Sequence, residues 1–248
     1  MKNLLRKKPI SDLLHKRGTM ELQKTMGPFD LMLLGVGAIV GTGIFILPGT
    51  VSAQHAGPGI VFSFIIAAIV CALAALCYSE FASTVPVTGS AYSYSYIVFG
   101  EIVAWFVGWA LLLEYGLATA AVATGWSGYF VTLIEGFGIH LPQALTSSFS
   151  IENGTYINLP AVIIIFVIGS LLSLGMKEST RFNAILVALK ISAVLLFIIV
   201  GVFYVKPENW SPFLPYGMSG VFTGAALVFF AYLGFDAVSS AAEEVKNP

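Results

Sequence analysis

Six long apolar runs constrain this chain more than any other feature. Residues 31–54 and 56–79 carry no charge. Residues 102–134 are interrupted only by Glu114, 159–176 are charge-free, and 182–205 are apolar around Lys190. Residues 209–235 are uncharged, and the run continues past Asp236 to Ala242. A helix crosses a bilayer with about 20 apolar residues, and every run falls in or above the workable range of roughly 17–25. The runs are continuous rather than alternating, and too long for strands. Hydrophobic residues make up 57% of the chain and charged residues 10%. Soluble domains carry about 25% charge, so too few polar side chains exist here to coat one. Disorder is excluded by the same hydrophobicity. The pattern predicts an all-α polytopic membrane protein with six transmembrane helices. A net charge of −1 gives no indication of nucleic acid.

Residues 1–27 are polar and basic and read as a cytosolic N-terminal tail, leaving 28–248 as the transmembrane domain. No short apolar core with a small-residue cleavage site marks a signal peptide. Between the runs lie a turn with His55, Gly57 and Pro58, a link over 80–101, a polar loop over 135–158, a tight loop over 177–181, and a loop over 206–217 rich in proline. Orientation follows from the positive-inside rule. With the N-terminus inside, the seven cations of the tail join Lys177, Arg181 and Lys246 there, and only Lys206 lies outside. This predicts a multi-pass protein of the plasma membrane with a cytoplasmic N-terminus. Cys71 and Cys77, on different faces of one helix, read as apolar fillers.

Two runs carry helix-breaking residues in mid-membrane. The first reads Gly35-Val36-Gly37-Ala38-Ile39-Val40-Gly41-Thr42-Gly43. Each glycine weakens a helix. Close packing through small faces would account for Gly37 and Gly41. A local unwinding at Gly41-Thr42-Gly43 would account for them equally well. Freed backbone groups at that depth are tolerated only when buried in protein or lining a cavity, where amides at a half-helix start bind carboxylates. The sixth run passes through Leu233-Gly234-Phe235-Asp236. A carboxylate at membrane depth is costly and marks function. Asp236 can cap the second half-helix, take part in proton traffic, or do both. Lys190 and Glu114 are also embedded in runs, either as a structural pair or with the lysine gaining and losing a proton. Two interrupted spans at matching places in two halves point to a secondary transporter.

The stretch Gly35 to Pro48 (GVGAIVGTGIFILP), the link Tyr78-Ser79-Glu80-Phe81 with Pro86 to Tyr94 (PVTGSAYSY), and the stretch from Phe230 through Glu244 to the end (FAYLGFDAVSSAAEEVKNP) carry a family resemblance. They resemble three signatures of the amino acid–polyamine–organocation (APC) superfamily of permeases, in order. Leu113-Glu114-Tyr115 and Lys177 to Asn183 make the chain most similar to the bacterial branch related to cationic amino acid transporters. The resemblance implies a LeuT-type fold of five-plus-five inverted repeats with discontinuous first and sixth helices. Residues of about 28–205 would form the first repeat, and about 209–245 the opening helix of the second. On that comparison the chain reads as an N-terminal fragment.

The resemblance further implies that Gly41, Thr42 and Gly43 hold a substrate carboxylate. Carbonyls of Ile39, Phe230, Ala231 and Leu233 would receive the α-ammonium, with the Phe230 ring as a gate. Lys190 would stand where sodium-driven relatives hold a cation, which implies proton coupling, and Asp236 and Glu114 match acidic positions linked to it. The expected function is proton-coupled symport of a small neutral amino acid, with a cationic one as the other choice. The alternative is a membrane sensor or subunit that binds amino acid without transporting it. Amino acid, protons and the lipid bilayer are the expected partners, a small membrane-protein partner is left open, and no cofactor, metal or nucleic acid is implied. No G-x-S-x-G, HExxH, CxxC or P-loop pattern supports an enzyme.

Overall fold

The computed structural model describes residues 6–7, 24, 26–173 and 176–246, with backbone alone over 176–182. Most of the tail expected over 1–27, and the side chains of Lys177 and Arg181, lie outside the described residues. The helices are α1 (Pro28–Ile39), α2 (Thr42–Val51), α3 (Ile60–Thr84), α4 (Ser90–Val98), α5 (Glu101–Gly136), α6 (Leu159–Ser173), α7 (Met176–Val202), α8 (Gly217–Val228) and the short α9 (Ala237–Ser240). Among the described residues no strand forms, and β contacts are limited to isolated bridges such as Met26 with Val245.

Four stretches are long and apolar enough to cross a membrane: Pro28–Thr84, Glu101–Gly136, Asn183–Val202 and Gly217–Ser240. The first has 57 residues. As one rod it would run about 85 Å, nearly three times the hydrocarbon thickness. It instead reverses through a π-helical turn, Ser52–Ala56, and a 3-10 turn, Gly57–Gly59, and so contains the first two predicted spans. The 159–176 run appears as the 15-residue apolar helix α6. All six predicted runs therefore fall on helices.

Two expected loops and one helix start are corrected. Helix α7 begins at Met176, so 177–181 is helical rather than a tight loop. Lys, Glu and Arg are good helix formers and override the polar look of the segment. The Tyr/Ser run at 92–96 lies on α4, so the 80–101 link has a helix of its own. Helix α8 starts at Gly217, not near 209. Pro212 and Pro215 have no backbone N–H and cannot continue a helical ladder.

The chain divides into two compact units, Met1–Leu111 with Asn183–Pro248, and Leu112–Phe182. In the second, Asn158 caps α6: its Oδ1 accepts from the Ala161 amide at 3.1 Å and from Ser127 Oγ on α5 at 2.5 Å. The loop before it closes on itself through paired Ser150 and Thr155 backbones, both bonds 3.0 Å.

In the first unit α3 and α8 run side by side in the same direction. Ser63 Oγ donates to Val221 O at 2.8 Å, and Tyr232 Oη to Phe64 O at 3.0 Å. Helix α2 runs the opposite way, because Gly43 lies against Ala231 while His55 lies against Gly220. Val51, Ala56, Ala67 and Val228 form the core between them, flanked by Leu47, Ile60, Phe64 and Tyr232. Small residues such as Ala67, Ser63 and Ala104 are buried, whereas Leu112, Phe166 and Phe197 face outward. That inversion of the soluble pattern is what a lipid solvent selects, since Leu and Phe gain nothing by leaving it and small residues let helices approach.

Gly224 fits between α8 and α3 because a Cβ there would stand 2.5 Å from Ser63 Oγ and 3.1 Å from Ala56 Cβ. Gly224→Val should therefore break the Ser63–Val221 bond and destabilise the protein by about 2 kcal/mol, seen as a lowered melting temperature in detergent.

Candidate functional site

Both suspect spans are interrupted, and the interruptions face each other. Helix α1 stops at Ile39, Val40 turns away at φ −76° and ψ 88°, and Gly41 is extended before α2 starts at Thr42. The break is therefore at Val40-Gly41, one residue before the expected triplet, with Thr42 and Gly43 opening the second half-helix. Across from it, α8 tightens into a 3-10 turn, Phe229–Tyr232. Leu233 is extended at ψ 141°, and Gly234 sits at φ +104° before α9.

The two breaks touch at two glycines. A Cβ on Gly43 would overlap the backbone Cα of Ala231. A Cβ on Gly234 would lie 3.0 Å from Ala38 O, and its positive φ is itself a glycine conformation. Gly41 differs from both: a Cβ there would meet nothing within 4 Å. Of the two readings of the glycine-rich run, packing therefore holds at Gly37 and Gly43, and open space at Gly41.

This geometry leaves polar backbone at the centre of an apolar bundle. Thr42 and Gly43 occupy the first two positions of α2, where an amide has no carbonyl one turn earlier in its own helix. Helix dipoles add positive potential at that end. Ile39 ends α1, where the last carbonyls lack helical donors and the potential is negative. Phe230 O already accepts from the Leu233 amide at 3.3 Å. Phe230 and Leu233 are half-buried, and Ala231 is buried. A zwitterion has the matching charge pattern, a carboxylate for the amides and an ammonium for the carbonyls.

Lys190 reaches this region from α7. Its Nζ donates to Gly37 O, in the last turn of α1, at 3.1 Å. The approach is built by one helical face: Asn183, Val187 and Lys190 stand at i, i+4 and i+7, and the first two press on Gly37. A Cβ at Gly37 would lie 2.8 Å from Asn183 Oδ1 and 2.9 Å from Val187 Cγ2. The spacing was visible in the sequence, but only the break in α1 shows what it serves. Asp236 is 5% exposed, just before α9, and makes no side-chain capping bond to that helix. Glu114 is half-buried on α5 and belongs to the other unit.

Two antiparallel interrupted helices that set their breaks against each other within an apolar bundle are a feature found in membrane transporters. The model of the amino acid permease family matches residues 26–248. The chain is 56% identical over its whole length to the methylthioribose transporter of Bacillus subtilis, covering 54% of that protein. It is 57% identical to the branched-chain amino acid permease BcaP of the same organism, over 99% of this chain and 53% of the relative. Identity to the vacuolar cationic amino acid transporter 2 of Arabidopsis thaliana is 40%, over all of this chain and 40% of the relative. The chain belongs to the amino acid permease family, and it spans about half the length of these curated relatives.

The glycines give a paired test. Gly43→Ala forces backbone against backbone and should destabilise by about 2 kcal/mol, whereas Gly41→Ala should leave the melting temperature unchanged. Thermal unfolding of both variants in detergent checks the pair.

Proposed function

We propose that the protein carrying this chain is a secondary active transporter that takes up a small neutral amino acid together with protons, by alternating access across the plasma membrane. The facing breaks support this most directly: a side chain at Gly41 would meet open space, Thr42 and Gly43 start α2 right after it, and Gly43 lies against Ala231 of the other break. The carboxylate is assigned to Thr42 and Gly43, and the ammonium to carbonyls of Ile39, Phe230, Ala231 and Leu233. A neutral side chain fits the apolar flank supplied by Ile39 and Ala231. The branched-chain specificity in the name of one relative agrees with it.

Proton coupling is assigned to Lys190, with Asp236 and Glu114 as further proton-carrying groups. A charged ammonium bonded to Gly37 O ties α7 to α1 immediately before the break, and charge-assisted bonds of this kind are worth about 1.5–3 kcal/mol. Loss of the proton weakens that tie, so the protonation state and the position of α1 are linked quantities. The N-terminus is assigned to the cytoplasm from the cation distribution. Residues of about 28–205 serve as the first five-helix repeat, and the following helix opens the second.

Uptake of labelled leucine, alanine, arginine and methylthioribose into proteoliposomes under an imposed pH gradient tests the proposal. Leucine or alanine should accumulate, and collapse of the gradient should abolish accumulation. Lys190→Ala should fold normally and lose gradient-driven uptake; undiminished uptake in that variant would overturn the lysine mechanism. Gly41→Ala should fall by about tenfold or more in binding while keeping its stability, because its methyl enters the substrate space.

A further inference from the structure

The second signature, Pro86 to Tyr94, has no part in the site above, yet the structure ties it to the last helix of the chain. The Thr88 amide donates to Glu243 Oε1 at 2.9 Å, and Thr88 Oγ1 lies 3.3 Å from the same oxygen. Two residues on, Ser239 Oγ lies 3.2 Å from Ser90 Oγ and also donates to Asp236 O at 2.6 Å. At the same end of the unit the segment entering α1 is laced to the segment leaving α9. The Met26 amide donates to Glu244 O at 3.0 Å, and the Lys246 amide to Met26 O at 3.1 Å. Gly27 N–H is held by Asp30 Oδ2 at 2.9 Å, which fixes the start of α1.

Above this seam lies a cavity of about 430 Å³. Ile39 and Phe235 line it at the level of the breaks, and Leu31 and Val245 line it at the seam. Between them stand Tyr78 and Ala75 of α3. The cavity therefore runs from the backbone breaks towards the seam, where the bonds join two of the segments that line it, the entry to α1 and the stretch around α9, and tie the second to the Thr88–Ser90 link.

We infer that this seam is a latch closing the inner end of the path from the site, and that Glu243 is the positioning residue that holds it shut through Thr88. The inference rests on the transport reading, because a path needs something to travel along it. Three features suit a latch. Its bonds are few and partly exposed, so water can replace them at small net cost. They join separate elements rather than turns of one helix, so breaking them leaves each half-helix intact. Tyr94 Oη is buried beside Ser239 without a hydrogen bond of proper geometry, so opening the seam to water supplies a partner that the closed form denies it. Glu243 acts on position alone: it touches no group assigned to the amino acid.

Thiol alkylation reads the latch separately from transport. The whole protein, in membrane vesicles, carries Ala75→Cys in the cavity wall after all its native cysteines, Cys71 and Cys77 among them, are replaced by Ala or Ser. A membrane-impermeant maleimide is added on the side of the N-terminus. Glu243→Ala should raise the alkylation rate about fivefold, the effect of losing one charge-assisted bond while the Met26 bridge remains. Glu243→Gln keeps an acceptor oxygen and should stay near the parent rate. Glu243→Asp, which draws the carboxylate back by one methylene, should raise the rate about twofold and stands in should the alanine variant not fold. Equal rates in all variants that melt at the parent temperature overturn the latch. Amino acid uptake is measured on the same vesicles: shifted alkylation without any parent uptake would overturn the transport reading and keep the latch, and normal uptake with unshifted alkylation would do the reverse.

Discussion

Backbone amides and carbonyls cannot be left bare in hydrocarbon, and everything in the first unit depends on how that demand is met at two places. An unpaired peptide group in such a medium costs several kcal/mol. Each interrupted span therefore has to hide its break in protein. The chain does so by setting the breaks against each other, with Gly43 on Ala231 and Gly234 on Ala38. Contact that close needs residues without side chains at the crossing. The glycines are thus a condition for the broken helices to exist at this depth, as well as a means of breaking them.

The rest of the unit holds the crossing in place. Helix α3 is continuous over 25 residues and lies along both α8 and the 3-10 turn. Helix α7 presses Asn183 and Val187 onto Gly37 and brings Lys190 to its carbonyl. A lysine at membrane depth is expensive unless it is bonded, and a carbonyl in the last turn of α1 is a natural acceptor for it. Gly43 and Gly234 thus find their reason in a neighbouring backbone, and Lys190 in a helix end.

Much of this was legible in the sequence because lipid makes composition nearly sufficient. Run length gave the helices, and glycine clusters with Asp236 located both breaks. The resemblance to permeases supplied roles for Thr42, Gly43 and Lys190 that spacing alone left open. What composition could not give were the ends of elements. The segment 177–181 looked like a loop since charge is the usual mark of an exit from the membrane, yet charged residues are also good helix formers. The start at Gly217 was masked because proline counts as apolar while withholding its amide. Long-range partners, such as Thr88 with Glu243 across 155 positions, leave no periodic trace in one chain.

The bond from Ser63 to Val221 has a mechanical consequence. It bolts the N-terminal half of the sixth span to an unbroken rod, thirteen residues before the joint at Gly234. A bolt on one side of a hinge and a four-residue helix on the other divide the labour unequally. The N-terminal half is the braced arm and the short C-terminal half the one free to act as a lever. Any bending at the joint would swing the short end, with the contact between the two crossed backbones as its fulcrum.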